Sequence, residues 1–312
     1  MRLSVHVPRS YKYLGVVLLM LVLTLAGCGG GGSGNGSSST NNVKFTIGSK
    51  NDTDGQLLAE MYYLLLQHNG YNNITLHLAL GQNAVLDSAI KSGAVDLYPE
   101  FTGTALNTYK LGNIQDPQQA YQKIAAYYEQ NFKVTWLTPA YNLNDSYGLC
   151  TNDTNAGKYN LSKMSDLVPV ASQLTLAGQQ DFLDPTAGIW PPVAQAYGIN
   201  FKNTVQISEQ LGFSAVKNDN AQINECYTTD PTIVVDNFKL LTDDKNAFPG
   251  YFPAPIVRDE LLSKAPSIKT ILNALAPHLT TASQTALIKQ VSVDHKSVKE
   301  VAQQYLQSIG LL

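Results

Sequence analysis

The richest run of reactive side chains lies at 93–106, GAVDLYPEFTGTAL. There Glu100, Phe101, Thr102, Gly103 and Thr104 set an acid, an aromatic ring, two hydroxyls and a glycine in consecutive positions. Ala94 to Tyr98 reads as a short buried strand, and Pro99, with no N–H for a central ladder, predicts its end. Hydroxyls and backbone N–H groups beyond a strand, with a glycine permitting close approach, suit a small polar ligand. A turn with an internally satisfied polar cluster fits this stretch alone equally well. Enzyme chemistry has less to build on. Asp96, Glu100 and Asp230 could form an acid/base pair of the glycoside-cleaving kind, so a surface hydrolase using Glu100 and Asp230 is the enzyme reading to weigh. His68, His77, His278 and His295 have neither metal-ligand spacing nor a neighbouring nucleophile. Nucleophile-elbow, zinc-protease and phosphate-loop signatures are absent. No catalytic residue, metal or cofactor is expected.

The elements around this stretch alternate. Lys44 to Gly48 predicts a strand, and Asp54 to His68 a helix with Leu57, Leu58, Met61, Leu64 and Leu65 on one face. Ile74 to Leu80 predicts a second strand and Asn83 to Ser92 a second helix, leading into the strand at 94–98. A β-α-β-α-β order implies a parallel sheet whose strand ends share one edge, so Ser49-Lys50-Asn51 and Phe101 to Thr104 should converge there. A third helix is expected over Asp116 to Phe132 and strands at 134–137 and 146–151. The pattern over 152–232 is richer in Asn, Asp, Thr and Gly, with short pieces at Leu174 to Ala177, Val193 to Tyr197 and Ile223 to Thr228. Longer periodicity returns at Ile233 to Leu241, followed by helices at Arg258 to Ala265, Ile268 to Leu275 and 283–309. A first lobe of 43–143 and 233–312, interrupted by a second lobe of 144–232, fits this order. A ligand would be enclosed between such lobes by hinge closure.

The chain of 312 residues opens on an address. Arg2, Arg9 and Lys12 precede the apolar run Leu14 to Leu23, too short to span a bilayer, which takes roughly 20 apolar residues. The run ends in Leu25-Ala26-Gly27-Cys28, which resembles a bacterial lipobox. Residues 1–27 then form a lipoprotein signal peptide and Cys28 is the lipidated first residue. Gly29 to Asn42 is a Gly/Ser/Asn tract that can bury nothing and reads as a flexible tether. Removing the three basic residues of the leader from 21 leaves 18 Lys+Arg against 24 Asp+Glu, a net of −6. That balance argues against nucleic acid or an anionic membrane surface as partner.

Four segments carry a family likeness: GSKNDTDGQLLAEMYYLLLQHNGY at 48–71, DLYPEFTGTAL at 96–106, CYTTD at 226–230 and DDKNAFPGYFPAPIV at 243–257. With the tail VSVDHKSVKEVAQQYLQSIGL, they resemble the extracytoplasmic binding proteins of ABC importers for quaternary amines. These are the glycine betaine, choline and carnitine receptors of osmoprotectant uptake. The resemblance implies an α/β, two-lobed periplasmic-binding-protein fold of type II-like form, its cleft between lobes joined by a two-strand hinge. It also implies a monomer that delivers its ligand to an ABC permease in the membrane and performs no chemistry.

Carried across position by position, the family's aromatic cage falls on Phe101, Tyr147, Tyr227 and Tyr251. A quaternary ammonium offers no N–H donor, so aromatic faces must hold it, at about 0.5–2 kcal/mol per cation–π contact. Lys50 and Thr104 match residues that assist an arginine in holding a ligand carboxylate. That arginine is missing from Asp181-Phe182-Leu183-Asp184-Pro185-Thr186-Ala187-Gly188, and a lone lysine does not replace its bidentate fork. Choline is therefore expected over glycine betaine, unless a residue elsewhere has taken the role. The same fold tuned to a polyamine or basic amino acid is the alternative. Cys150 and Cys226, an even pair outside the cytoplasm, read as a possible disulfide, two buried thiols being the other reading.

Overall fold

The fold starts from an amphipathic helix with a firm beginning. In the computed structural model, which describes residues 42–312, strand β1 (Phe45–Lys50) runs into helix α1 (Thr53–His68). Asp52 caps that helix, its carboxylate accepting from the Gly55 N–H at 2.6 Å. A cap is worth about 1 kcal/mol. Each fully buried leucine contributes about 1.5–3 kcal/mol, and Leu57, Leu58, Met61 and Leu65 are all buried, so packing outweighs the cap. The signal segment, Cys28 and nearly all of the tether lie outside the described residues.

The chain continues through β2 (Ile74–Gly81), α2 (Asn83–Ser92), β3 (Leu97–Phe101), α3 (Thr102–Thr108), α4 (Pro117–Phe132) and β4 (Val134–Trp136). Next come β5 (Tyr147–Asn152), α5 (Asp153–Tyr159), β6 (Thr175–Gly178), α6 (Gln180–Leu183), α7 (Trp190–Tyr197) and β7 (Asn203–Gln206). After α8 (Glu209–Lys217), β8 (Ile223–Tyr227), α9 (Thr232–Val235), β9 (Phe238–Leu241) and β10 (Pro253–Arg258), four helices close the chain. These are α10 (Asp259–Lys264), α11 (Ser267–Asn273), α12 (Thr281–Ser292) and α13 (Val298–Ser308).

Two five-stranded sheets result, in the orders β2-β1-β3-β10-β4 and β7-β6-β8-β5-β9. The first three strands pair in parallel as the alternating pattern requires, and β10 adds antiparallel to β3. Strand β3 does not stop at Pro99 but runs to Phe101, three residues beyond the expected end. The reason is register: Pro99 lies opposite Pro255, so neither is asked for a ladder N–H by the other. Pairing of β3 with β1 is confined to Ile47 opposite Leu97, which leaves no neighbour wanting a proton from Pro99. Pro253 and Pro255 still accept, from the N–H groups of Ala140 and Leu137.

One face of the first sheet packs on α1 and the C-terminal helices through Ile47, Leu97, Ile268, Leu287, Val301 and Leu306. A second cluster on Leu86, Ile90, Tyr98, Ile124, Tyr128 and Trp136 gathers α2 and α4 with β3 and β4. The second sheet contains β9, which pairs antiparallel with β5. Phe238–Leu241 thus joins the second sheet, although the sequence places it in the first lobe. The periodic run over 233–241 is one turn of helix followed by a strand. Between the sheets the chain crosses twice, and the crossings lie side by side: the Asp145 N–H donates to the Tyr251 carbonyl and the Tyr251 N–H to Asn144 Oδ1.

Within the second sheet, Cys150 and Cys226 are joined by a disulfide, with Cα atoms 6.0 Å apart. They occupy diagonal positions on β5 and β8, where Gly148 faces Cys226 and Asn224 faces Cys150. The bond closes a loop spanning 76 positions. Reduction, or replacement of both cysteines by alanine, should lower the unfolding free energy by about 2–5 kcal/mol, read as a shift in urea midpoint. An unchanged midpoint in reductant would show that the cross-link contributes nothing.

Candidate functional site

Lys50 ends β1, Phe101 ends β3, and Thr104 sits in the first turn of α3, so the parallel arrangement brings all three to one edge. From the second sheet, Tyr147 at the start of β5 lies directly opposite Tyr227 at the end of β8. Tyr251 arrives from the second crossing. All six line one cavity, together with Asp52, Thr53, Asp54, Gln82, Asn83, Asp145, Thr229, Asp230 and Ile288. Space for water-sized molecules inside it is about 40 Å³.

The rings form a connected wall. Tyr147 and Tyr227 have centroids 4.9 Å apart, and Tyr251 meets Tyr147 edge-on at 5.2 Å. Phe182, from the segment where an arginine was sought, lies 5.4 Å behind Tyr147. Tyr251 is fixed at both ends. Its hydroxyl accepts from Asn107 Nδ2 at 2.7 Å, and its ring lies flat against Gly103. A Cβ on Gly103 would fall 2.7 Å from ring carbons, so the glycine of Thr-Gly-Thr makes room for an aromatic face. Burial holds the hydroxyls of Tyr147 and Tyr251 protonated well above the usual phenol range.

The charged groups of the cavity are mostly acidic. Lys50 is its one basic residue, and its ammonium donates to Glu100 Oε1 at 2.6 Å, with both side chains buried. Glu100 also accepts from the Phe101 N–H at 2.7 Å and the Tyr98 hydroxyl at 2.9 Å. A carboxylate engaged three times holds the strand edge together and leaves little for acid/base work. Lys50 lies 5.0 Å from the centre of the Phe101 ring, so that ring already has a cation over one face. The one arginine outside the leader, Arg258, pairs with Glu260 at 3.0 Å and does not line the cavity.

Sequence reasoning missed Asp52, Asp54, Asp145 and Thr229. Asp54 read only as the start of a helix; in the structure Asp52 caps that helix and both aspartates also face the cavity. Asp145 accepts from the Thr229 hydroxyl, and only its place two residues before Tyr147 hinted at a role. Asp230, weighed as an acid/base group, accepts from the Thr232 N–H at 2.8 Å. Buried in the second sheet, Glu225 accepts from the Gln179 N–H at 2.6 Å, and Gln179 Nε2 donates to the Tyr227 hydroxyl at 3.2 Å. Among the described residues no group of His, Cys, Asp and Glu is arranged to hold a metal ion.

Two sheets, paired crossings and a ring-lined cavity between them define a two-lobed α/β solute-binding protein. The chain belongs to the family described as the substrate binding domain of the ABC-type glycine betaine transport system, whose model matches residues 43–308. That is a family of extracytoplasmic transport receptors, not of enzymes. The chain is 30% identical over 264 residues to the carnitine transport binding protein OpuCC of Listeria monocytogenes, covering 84% of this chain and 85% of that one. It is 28% identical over 277 residues to the glycine betaine-binding protein YehZ of Escherichia coli, covering 85% and 90%. Among solved structures, a glycine betaine/carnitine/choline ABC transporter protein superposes with a TM-score of 0.71 at 24% identity, over 86% of this chain and 99% of that one. Lactococcal OpuAC, closed on glycine betaine, superposes with a TM-score of 0.59 at 17% identity, over 86% and 96%. At these identities the structural likeness is one of fold.

Two stability measurements follow. In an open helix, Gly→Ala gains up to about 1 kcal/mol. At Gly103 the clash with Tyr251 should reverse the sign, giving a loss of about 1–3 kcal/mol in urea denaturation; a gain would mean the ring is free to move. For Glu225, burial pushes the carboxyl up to about 8, against the donors of Gln179. The folded state therefore holds a proton that the unfolded chain gives up near 4.5, and stability should fall as pH rises from there towards 8. Glu225→Gln should flatten that slope, with a gain on the order of 3 kcal/mol at the alkaline end. An identical slope in the variant would assign it elsewhere.

Proposed function

We propose that this chain is a lipid-anchored receptor of an ABC importer that captures a quaternary ammonium compound, choline in preference to glycine betaine, and delivers it to a membrane permease. One observation carries this reading: four aromatic rings and four aspartates share a cavity whose one lysine is already paired with Glu100. Aromatic faces attract a methylated ammonium that hydrogen bonds cannot recognise. Carnitine and glycine betaine, named for the relatives, each carry a carboxylate as well. Here that group would meet Asp52, Asp54, Asp145 and Asp230 without an arginine to hold it, and Thr104 offers only a hydroxyl. A ligand without a carboxylate suits the charge balance better. Capture works by closure, since Phe101 and Lys50 belong to the first sheet and Tyr147 and Tyr227 to the second. The lobes follow the sheets, with 43–143 and the chain from β10 onward in one, and 144 through β9 in the other. Attachment would run through Cys28, which ends the lipobox-like Leu25-Ala26-Gly27-Cys28.

The aspartates also support a second reading, in which the ligand is a polyamine or basic amino acid whose N–H groups they chelate. Head-group methylation separates the two, because a cage of rings prefers the methylated cation. Calorimetric titration of the full chain with choline, glycine betaine and putrescine in parallel is the test. Choline should bind at least about tenfold more tightly than glycine betaine, and Tyr227→Ala should remove choline binding. Equal or tighter glycine betaine binding would sink the preference, and tighter putrescine binding the cage.

A further inference from the structure

Asp145 stands where the three tyrosine-bearing segments meet. Its N–H donates to the Tyr251 carbonyl at 2.9 Å, it precedes Tyr147 by two residues, and its carboxylate accepts from Thr229, two residues beyond Tyr227. The side chain lines the cavity and is only 7% exposed. Among the described residues, Thr229 gives the only hydrogen bond to this carboxylate, so one oxygen accepts from no protein donor. Lys50 would be its natural counter-ion, but Glu100 holds that ammonium. The other charged groups facing Asp145 are Asp52, Asp54 and Asp230, with Asp54 Oδ2 3.5 Å from the Thr229 hydroxyl. A buried carboxylate without a cation is costly, so the site is set up to be completed by a positive charge from outside.

Resting on the quaternary-amine reading of this cavity, we propose that Asp145 is its counter-charge: the carboxylate that a bound cation neutralises, and the residue that selects a charged head group over a neutral one of the same shape. The rings alone discriminate less, because they also welcome an uncharged tertiary-butyl group of equal size.

A pH dependence follows. Burial pushes the Asp145 carboxyl up to about 7; the Thr229 hydroxyl and Lys50 pull it down, while Asp52 and Asp230 add to the rise. A quaternary ammonium has no proton to lose, so its arrival must expel the proton from Asp145. Affinity is then lowest where Asp145 is protonated and climbs as pH rises through that value.

The experiment titrates the full chain, Asp145→Asn and Glu225→Gln with choline and with its uncharged isostere 3,3-dimethyl-1-butanol, by direct heat or competition. In the unmodified chain and in Glu225→Gln, choline affinity should rise about tenfold between about pH 6 and pH 8, and in Asp145→Asn by less than about twofold. At the higher pH, Asp145→Asn should weaken choline by at least about tenfold while leaving the alcohol unchanged. The proposal is overturned if choline affinity is the same at both pH values, if Asp145→Asn binds as the unmodified chain does, or if the pH response disappears with Glu225 instead. Those outcomes leave the quaternary-amine reading standing, since choline still binds. Failure of choline to bind at either pH removes both. Should Asp145→Asn not fold, the pH series of the unmodified chain and of Glu225→Gln still decides.

Discussion

The ion pair between Lys50 and Glu100 is the constraint on which much of the site depends. Each charge is buried, and a buried charge persists only where a partner and further hydrogen bonds replace the lost water. The pair satisfies that demand locally: Glu100 collects the ammonium, the Phe101 N–H and the Tyr98 hydroxyl. In doing so it ties the end of β1 to the end of β3 and holds Phe101 at the strand terminus. It also changes the chemistry of the cavity. A lysine that would otherwise greet a carboxylate is engaged inside the protein, and the remaining lining is acidic and aromatic.

What the sequence made legible, and what it hid, divides along the line between local and non-local causes. Strands β1 and β2 and helices α1, α2 and α4 follow from periodicity, because each depends on neighbours a few residues away, whereas α3 begins where the sequence reads as a polar turn. That four rings would share one cavity was legible only through the family resemblance; the spacing of Phe101, Tyr147, Tyr227 and Tyr251 along 150 residues says nothing about their meeting. Strand β3 ran past Pro99 because its partner also offers a proline there, a fact of register that a single strand cannot announce. Strand β9 lay unassigned inside the periodic run 233–241 because its pairing with β5 is a contact across almost ninety positions. Asp145 carried no signal beyond its nearness to Tyr147: an aspartate in Asn-Asp-Ser reads as a turn until Thr229 and Tyr251 arrive beside it.

The relatives sharpen the question of the ligand's second pole. The family is described by glycine betaine transport, and the fold agrees with it. This chain is poor in cations near the cavity. Outside the leader it has a single arginine, and Arg258 is committed to Glu260. The segment that might have supplied another delivers Phe182 to the back of Tyr147 and Asp181 to a neighbouring pocket that shares Gln82, where burial raises its carboxyl above the usual range. A hydrophobic brace and an acid stand where a carboxylate-binding fork would be needed.

The energetics of such a site favour division between the sheets. At about 0.5–2 kcal/mol per ring, no single cation–π contact gives useful affinity, and even four leave little surplus after the cost of ordering a ligand. Placing Phe101 on one sheet, Tyr147 and Tyr227 on the other, and Tyr251 on the crossing means that the contacts exist together only when the lobes are together. Ligand affinity and lobe closure then become one free energy, so a molecule that engages half the rings also fails to hold the closed form. Tyr251 makes the coupling tight. Its ring is wedged on Gly103 in the first lobe, while the backbone of its own segment is bonded to Asn144 and Asp145 on the neighbouring crossing. The aromatic face and the hinge cannot move independently.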